Sequence, residues 1–506
     1  MKIDFAKNTR RNALAAILNK CLGLLFPFLN RTLFLFLMGP EYLGLNGLFV
    51  SILGVLSLAD LGFGTAVVCS MYKPIAEDDR ALVCAYLRFY RKVYRWAGTA
   101  ILAAGLCLLP FVRNLVHGDM PPGVDLHVLY LIHLANTAVS YFLFAYRGSV
   151  LSAHHRGDVI TNIRTFTSIA QYATVFAILF LTRNYYHYVL AVVAYTVLNN
   201  LLTVWQAKRL FPDIEPRGDL PSDKLRKVIS DVKSIFMHKI GAVISNQADN
   251  IVISAFLGLV AVAAYGNYFY VVTSVSGLTW AIYSSMQNGF GNTVFTETKE
   301  ENFRRFMKAL RVVLVVVSGC AAMMTALYQP FIAVWTGGRA DMSRHFLTPL
   351  LMVLYFYVMQ SRQTLLTFKA AANIWREDRW KPLVAGAANL SLNIALVLTL
   401  PEEYKLDGVV LSTIVGYVAI QVPWESRVMF SVFFGKAESR SYWRSQALFA
   451  VLTAALCAAA WAAARAVPVS GLAGLAIKGV AAGSVVAATL AAFFRRDIAS
   501  LLRRRR

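Results

Sequence analysis

Apolar stretches about 20 residues long recur along the entire 506-residue chain, and no other feature restricts its possible fold as strongly. Hydrophobic residues make up 58% of the sequence and charged residues 15%, whereas an ordinary soluble domain is roughly 25% charged. This composition excludes most soluble classes and a disordered chain. Fourteen stretches are long enough to span a bilayer as helices: 12–38, 45–71, 93–116, 126–147, 159–181, 187–207, 240–258, 265–288, 309–333, 346–371, 381–401, 406–427, 443–464 and 472–494.

The basic residues indicate how these helices cross the bilayer. The chain carries 50 Lys and Arg against 27 Asp and Glu, a net charge of +23. With a cytoplasmic N-terminus, about 39 of the basic residues fall in cytoplasmic segments, as the positive-inside rule requires. We therefore predict that both termini are cytoplasmic. The charge is then a topology signal, and nucleic acid is not expected as a partner.

The fourteen stretches group as six, six and two, and the two groups of six show an internal repeat. Gly39 and Gly47 are eight residues apart, as are Gly258 and Gly266, at an offset of 219. We predict an all-α polytopic membrane protein with two six-helix lobes related by a pseudo-two-fold axis, as in many transporters, plus two C-terminal helices. The predicted domains are an N-terminal lobe at 1–207, a cytoplasmic linker at 208–239, a C-terminal lobe at 240–430, and the two extra helices with a basic tail at 431–506.

Charged and amide side chains inside the apolar stretches are the candidate functional residues, because charge is costly in a membrane. Lys20 and Arg31 are eleven residues apart and so share one face of a helix. Cations in excess favour an anionic substrate, and arginine suits phosphate. Alternatively, each charge pairs locally, for example Arg31 with Asp60. The predicted substrate-binding residues are Lys20, Arg31, Arg164, Arg362 and Asn250.

Two carboxylates, Asp60 and Asp249, also lie within predicted spans. Either they bind a proton or Na⁺ for coupling, or they form salt bridges with nearby arginines. The phosphate-binding pattern GxxxxGK[ST] is absent from the sequence, which disfavours ATP hydrolysis. We expect no cofactor and no metal, with H⁺ or Na⁺ as a possible coupling ion.

Three sequence blocks resemble a known family. The first comprises LMGPEYLGLNGLF at 37–49, LSLADLGFG at 56–64 and YKPIAE at 72–77. The second comprises TFKAA at 367–371, Trp375, EDR at 377–379, Lys381-Pro382 and Asn389; the third comprises Gly408-Val409, Ser412-Thr413 and Trp424-Glu425. Together they resemble capsular and exopolysaccharide repeat-unit flippases of the multidrug/oligosaccharidyl-lipid/polysaccharide exporter superfamily. One departure is Asn373, where the family often has glycine.

This resemblance implies a flippase for polyprenyl-pyrophosphate-linked oligosaccharide repeat units, acting by alternating access in polysaccharide biosynthesis. It also implies a location in the bacterial cytoplasmic membrane, with a polysaccharide polymerase and glycosyltransferases as possible partners. A lipid II flippase for peptidoglycan synthesis and a cation-coupled multidrug exporter remain alternatives, although a cationic cavity disfavours the exporter. A membrane polymerase would need a sizeable outer loop with catalytic Arg or His, and the outer loops here are short, so we predict that the chain is not an enzyme.

Overall fold

The computed structural model describes residues 22–57, 63–118, 120–143, 145–374 and 377–503, and over these ranges the chain is helical without any strand. The chain forms two compact units, Met1–Val262 and Ala263–Arg506. The first unit contains α1 (Leu22–Leu37), α2 (Pro40–Leu56), α3 (Phe63–Ala76), α4 (Arg80–Leu108), α5 (Leu126–Phe142), α6 (Gly148–Ala153), α7 (Gly157–Leu181), α8 (Tyr185–Leu210) and α9 (Ser222–Leu257).

The second unit begins within α10 (Leu259–Thr293), and a single residue separates the end of α9 from the start of α10. The remaining helices are α11 (Lys299–Trp335), α12 (Leu347–Ser361), α13 (Gln363–Ala371), α14 (Lys381–Thr399), α15 (Lys405–Val415), α16 (Val422–Val432), α17 (Lys436–Arg465) and α18 (Gly471–Arg503). Helices α11, α17 and α18 pack closely on one another, and alanines at their interface, such as Ala322, Ala460 and Ala482, permit this approach.

Within the described residues, nine helical segments are long and apolar enough to cross a membrane, and α1, α2 and α5 are shorter apolar helices. Each of the fourteen predicted stretches is largely helical where the structure describes it. The prediction of an all-helical polytopic membrane protein is therefore confirmed.

Several of the predicted stretches each contain more than one helical segment. The stretch 45–71 contains the end of α2 and the start of α3, and the stretch 346–371 is interrupted at Arg362, between α12 and α13. The stretch 406–427 contains a π-helical turn, Gly416–Gln421, between α15 and α16. Pro423 follows this turn closely and has no N–H to donate to the preceding turn, which favours a widened turn at this point.

Helices α4 and α11 begin well before the apolar stretches that they contain. Helix α4 begins at Arg80, where the side chain of Asp79 accepts a hydrogen bond from the backbone N–H of Leu82. Helix α11 begins at Lys299, where Thr298 and Glu301 form a reciprocal capping box. These caps satisfy N–H groups of the first turn and extend both helices into polar sequence that hydropathy alone leaves outside the helix.

The connection between α8 and α9 is held against α4 by charge. The carboxylates of Asp213 and Asp219 lie 3.2 Å from Arg80 and 3.1 Å from Arg88, respectively. Helix α9 begins at Ser222, so the second half of the segment 208–239 is helical. The domain boundaries derived from the sequence stay a prediction.

The glycine repeat has a structural counterpart at the joints between successive helices. Gly39 joins α1 to α2 with φ +112°, and Gly258 joins α9 to α10 with φ +88°. Both values lie in the region that only glycine adopts at low cost. The carbonyl oxygen of His117 would lie 2.9 Å from a Cβ atom at Gly258, so a side chain at this position meets backbone as well as strain.

We expect Gly258→Ala to lower the free energy of unfolding by about 1–3 kcal/mol, because alanine is strained in the left-handed region and its methyl group would crowd His117. The thermal unfolding midpoint of the detergent-solubilised protein measures this effect. Gly157→Ala is the matched control, since a methyl group at Gly157 would have no other atom within 4 Å and the backbone there is not left-handed. An equal midpoint for the two variants would contradict the prediction.

Candidate functional site

In the first unit, α1 contacts both α7 and α8. The Asn30 side chain donates a hydrogen bond to the Tyr188 hydroxyl, 3.1 Å away on α8. One turn earlier on α1, Phe26 stacks on Tyr172 of α7 with ring centroids 5.2 Å apart. Arg31, a predicted substrate-binding residue, follows Asn30 and is half-buried. Arg31 thus follows directly the residue through which α1 contacts α8.

Helix α7 carries a polar face that the sequence analysis missed. The predicted residue Arg164 is exposed, and it lies on the same helical face as four other polar side chains that are exposed or half-buried: Thr161, Thr165, Ser168 and Gln171. In chain order, with Arg164 as the second member, successive residues of this set are three, one, three and three positions apart. This spacing keeps all five on one side of the helix. Charge is costly against hydrocarbon, so this polar face is better suited to water than to lipid.

Two further predicted residues, Asp249 and Asn250, are neighbours on α9, and Asn250 contacts α2. The Asn250 side chain donates a hydrogen bond to the Ser51 hydroxyl at 2.9 Å. The preceding residue, Asp249, is only 5% exposed. Asn250 therefore forms part of the contact between α9 and α2 in the first unit. Two further predicted residues, Lys20 and Asp60, lie outside the described residues.

Arg362, in the second unit, is 9% exposed and has neighbours that the sequence analysis did not assign to it. Its guanidinium donates hydrogen bonds to the Gln421 side chain at 2.7 Å and to the Glu425 carboxylate at 3.2 Å. It also lies over the Tyr417 ring, 4.5 Å from the centroid. Tyr417 and Gln421 both belong to the π-helical turn, which therefore supplies two of the three contacts.

The same carboxylate belongs to a larger buried cluster. Lys381 binds Glu425 and also lies 3.2 Å from Asp378, and Asp378 in turn binds Lys369. Together with Arg362, these residues contribute three positive and two negative charges, a formal net charge of +1. The cluster connects the α12–α13 joint, the connection 372–380, α14 and α16. Since its charges nearly cancel, it can hold these segments together inside the unit.

Asp378 lies in the connection before α14, and its ionisation is set by the two lysines. Burial acts to raise the pKa of Asp378, but the charge of Lys381 and the hydrogen bond from Lys369 outweigh burial and hold the pKa below its ordinary value. The carboxylate is thus maintained as the anion that the two ammonium groups require.

Asn373 adopts the conformation expected of the glycine that it replaces. Its φ is +55°, in the left-handed region, and its N–H donates to the carbonyl oxygen of Ala370 as α13 ends. Asparagine tolerates this region better than other non-glycine residues, so the departure preserves the turn that leads to Asp378.

Most members of the cluster belong to the sequence blocks that carry the family resemblance, yet the sequence analysis assigned a site role to Arg362 alone. Lys369 lies two helical turns after Arg362, and this spacing was available from the sequence. The partners on α14 and α16 were not available, because they are brought close by tertiary packing. Over the described residues, no group of three or more His, Cys, Asp or Glu side chains is arranged to hold a metal ion.

Comparison with known proteins places the chain in a family. A family model described as "Polysaccharide biosynthesis protein" matches residues 9–286, more than half of the chain. The chain belongs to this family. The family resemblance drawn from the sequence blocks is thereby confirmed. Among curated proteins, none matches the chain.

The fold is also similar to solved transporter structures. "Lipid II flippase MurJ, inward closed conformation" matches with a TM-score of 0.64 and 15% identity, covering 96% of this chain and 99% of that chain. An inward-facing multidrug resistance MATE family transporter of the MOP superfamily matches with a TM-score of 0.59 and 14% identity, covering 80% and 94%. At these identities the similarity concerns the fold.

We expect Glu425→Gln to lower the free energy of unfolding by about 3–5 kcal/mol, because it leaves Arg362 and Lys381 buried without their shared carboxylate. The thermal unfolding midpoint in detergent reports this loss. Glu402→Gln is the control, since Glu402 is 81% exposed and its pairing with Lys405 is worth at most about 1 kcal/mol. If both variants unfold at the same temperature, the cluster does not stabilise the unit.

We expect the stabilisation from Asp378 to disappear in acid. A carboxyl with a lowered folded-state pKa favours the folded state above its ordinary pKa of about 4, and this contribution is lost as the pH falls through the folded-state value. The difference in unfolding midpoint between wild type and Asp378→Asn should therefore be large at pH 7 and shrink below about pH 4. The exposed residue Asp223 provides a control: Asp223→Asn should match wild type at both pH values. A difference for Asp378→Asn that is independent of pH would contradict this account.

Proposed function

We propose that this protein moves polyprenyl-pyrophosphate-linked oligosaccharide repeat units from the inner to the outer leaflet of the bacterial cytoplasmic membrane by alternating access. The observation that carries the proposal is the match to the polysaccharide biosynthesis family over residues 9–286, on a fold similar to that of a lipid II flippase. The carrier lipid is what the resemblance of the sequence blocks implies.

The physical difficulty of this reaction is the polar headgroup. A pyrophosphate with its sugars would have to cross about 30 Å of hydrocarbon, whereas the carrier tail can stay in lipid. A water-filled path lined by cations lowers this barrier for the headgroup. The polar face of α7 with Arg164, and the half-buried Arg31 on α1, support such a path in the first unit.

The positions of these two arginines favour successive contacts over one shared site. Phe26 and Tyr172 place α1 and α7 side by side. Both helices belong to odd-numbered predicted spans, so they run in the same direction. Arg31 then lies about 8 Å beyond this contact and Arg164 about 12 Å before it, at 1.5 Å per residue. We infer that the pyrophosphate meets Arg164 first, on the cytoplasmic side, and Arg31 later.

The remaining predicted residues have distinct proposed roles. Asn250 lies at the contact of α9 with α2, and the next residue before it, Asp249, is buried. Protonation or Na⁺ binding at Asp249 would alter the packing around α9 and so couple an ion gradient to transport. Lys20 and Asp60 are proposed to act in the same path, Lys20 on the substrate and Asp60 in coupling or in a salt bridge. Arg362 is proposed to contact substrate only when its bond to Glu425 opens.

The excess of Lys and Arg in the predicted cytoplasmic segments supports cytoplasmic termini. This orientation indicates which end of the path faces the cytoplasm. On this proposal, glycosyltransferases would supply the repeat units on the cytoplasmic side and a polymerase would join them on the outer side. We propose both as functional partners of the protein.

We expect Arg31→Gln and Arg164→Gln each to slow flipping about tenfold or more, since each removes a charge-assisted hydrogen bond to the pyrophosphate. The assay uses proteoliposomes that contain a fluorescent polyprenyl-pyrophosphate oligosaccharide, and a membrane-impermeant quencher follows its transfer between leaflets. Arg209→Gln, which removes an exposed cation at the end of α8, should retain the wild-type rate.

Arg362→Ala alone is a poor test, because it removes one of the two cations that bind the buried Glu425 carboxylate and so disturbs the cluster as well as the proposed substrate contact. The double variant Arg362→Gln, Glu425→Gln removes both charges and preserves the charge balance. Wild-type rates in Arg31→Gln and Arg164→Gln, with correctly folded protein, would refute the cationic path. The proposed role of Arg362 fails separately if the double variant is as active as wild type.

A lipid II flippase is the second candidate, and the specific observation in its favour is the TM-score of 0.64 to MurJ over 96% of this chain. The same proteoliposomes loaded with fluorescent lipid II distinguish the two functions. Faster transfer of lipid II than of the oligosaccharide carrier would favour this second candidate. Transfer of neither lipid would contradict both.

A further inference from the structure

A cavity of about 160 Å³ lies in the second unit among α11, α12, α17 and α18. It is far larger than the roughly 10–15 Å³ that a single water molecule needs. The residues that define its chemistry are Gln329, Phe346, Leu350, Trp461, Arg465 and Lys478. None of them belongs to the buried cluster around Glu425 or to the polar face of α7.

The cavity is cationic. Arg465 and Lys478 both line it, and its lining contains no carboxylate. Among the residues that the structure describes, no ion pair engages either of these two side chains; the Arg465 guanidinium lies over the Trp461 ring, 5.0 Å from the centroid. Two uncompensated positive charges beside one opening create an electrostatic preference for an anion.

The cavity also lies at the level expected for lipid headgroups. Arg465 is the last residue of α17, and Phe346 directly precedes α12, so the cavity opens where membrane-crossing helices end. Tryptophan and arginine are typical of this interfacial zone. Lys478 is about 10 Å along α18 from its first residue, a depth from which a long lysine side chain can reach the headgroups.

Apolar side chains continue from the cavity onto the outer surface of the helices. Phe346 is 51% exposed and Leu350 is 42% exposed. In a membrane protein these surfaces face acyl chains. A ligand with a phosphate at Arg465 and Lys478 and with hydrocarbon against Phe346 and Leu350 would match both parts of the site.

We propose that this cavity binds the phosphodiester headgroup of an anionic phospholipid of the bilayer. Arginine binds phosphate through its planar fork and lysine adds a point charge, while the indole of Trp461 orients the guanidinium. Charge complementarity commits the site to an anionic lipid, since a zwitterionic headgroup presents its own cation to the two positive side chains.

A lipid headgroup bound in this cavity would stabilise the connection that leads into α12. The Gln329 side chain, which lines the cavity, donates hydrogen bonds to the Ser343 hydroxyl at 3.0 Å and to the Arg344 carbonyl oxygen at 2.7 Å. It also accepts one from the Tyr268 hydroxyl at 2.9 Å. A bound headgroup would therefore stabilise α11, α17 and the 343–346 segment as one unit.

The test measures lipid retention and thermal stability of the full-length protein in neutral detergent. Native mass spectrometry should show retained phosphatidylglycerol in preference to phosphatidylcholine, and added phosphatidylglycerol should raise the thermal unfolding midpoint. The double variant Arg465→Gln, Lys478→Gln should lose both effects. The variant Arg465→Lys keeps the charge and should retain part of the binding.

The matched control is Arg183→Gln, Lys405→Gln, which removes two basic residues near the ends of other helices and leaves the cavity intact. This control should bind phosphatidylglycerol as wild type does. Equal retention by wild type and the Arg465, Lys478 variant would overturn the proposal. So would stabilisation by inorganic phosphate alone, which would indicate a free anion, or by polyprenyl phosphate but not phosphatidylglycerol, which would indicate the carrier lipid.

Discussion

Hydrocarbon offers no hydrogen-bond partner to a peptide group, and this constraint underlies the architecture of the whole protein. Helices satisfy the constraint within each segment, which is why the described apolar stretches are helical. Interruptions of a helix are costly for the same reason, and they occur where polar side chains lie close to the break. The joint between α12 and α13 lies at Arg362, and the π-helical turn before Pro423 supplies Tyr417 and Gln421 to the same side chain. The breaks in the helices and the polar cluster are therefore one structural feature.

The intramembrane and interfacial charges fall into different physical situations. The charges around Glu425 nearly cancel, so this cluster is suited to holding segments together. Arg164, by contrast, is exposed on a polar helical face, where a substrate could reach it. Arg465 and Lys478 flank a cavity without a carboxylate. A cation inside a membrane protein thus has no role by itself; its partners decide whether it fixes the fold, meets a substrate or attracts a lipid.

Individual residues show which structural features could be predicted from the sequence and which could not. Gly39 and Gly258, which the sequence analysis used only as evidence for a repeat, lie at two joints with left-handed backbones, and a glycine at a helix junction has a local cause. The polar face of α7 could have been recognised from its helical period. The cluster could not, since Glu425 lies 63 residues from Arg362 and 44 from Lys381 along the chain. No local pattern indicates which of several helices will be neighbours.

The sequence by itself determined the helical class, the number of apolar stretches, the charge asymmetry of the connections and the family, because all four depend on composition and short-range order. Only the tertiary structure decided that Arg362 is bound to Glu425, that Asn250 bonds to Ser51, and that Arg465 and Lys478 share a cavity. Side-chain partners depend on distances of a few ångströms between helices remote in the chain, and such distances are set by packing.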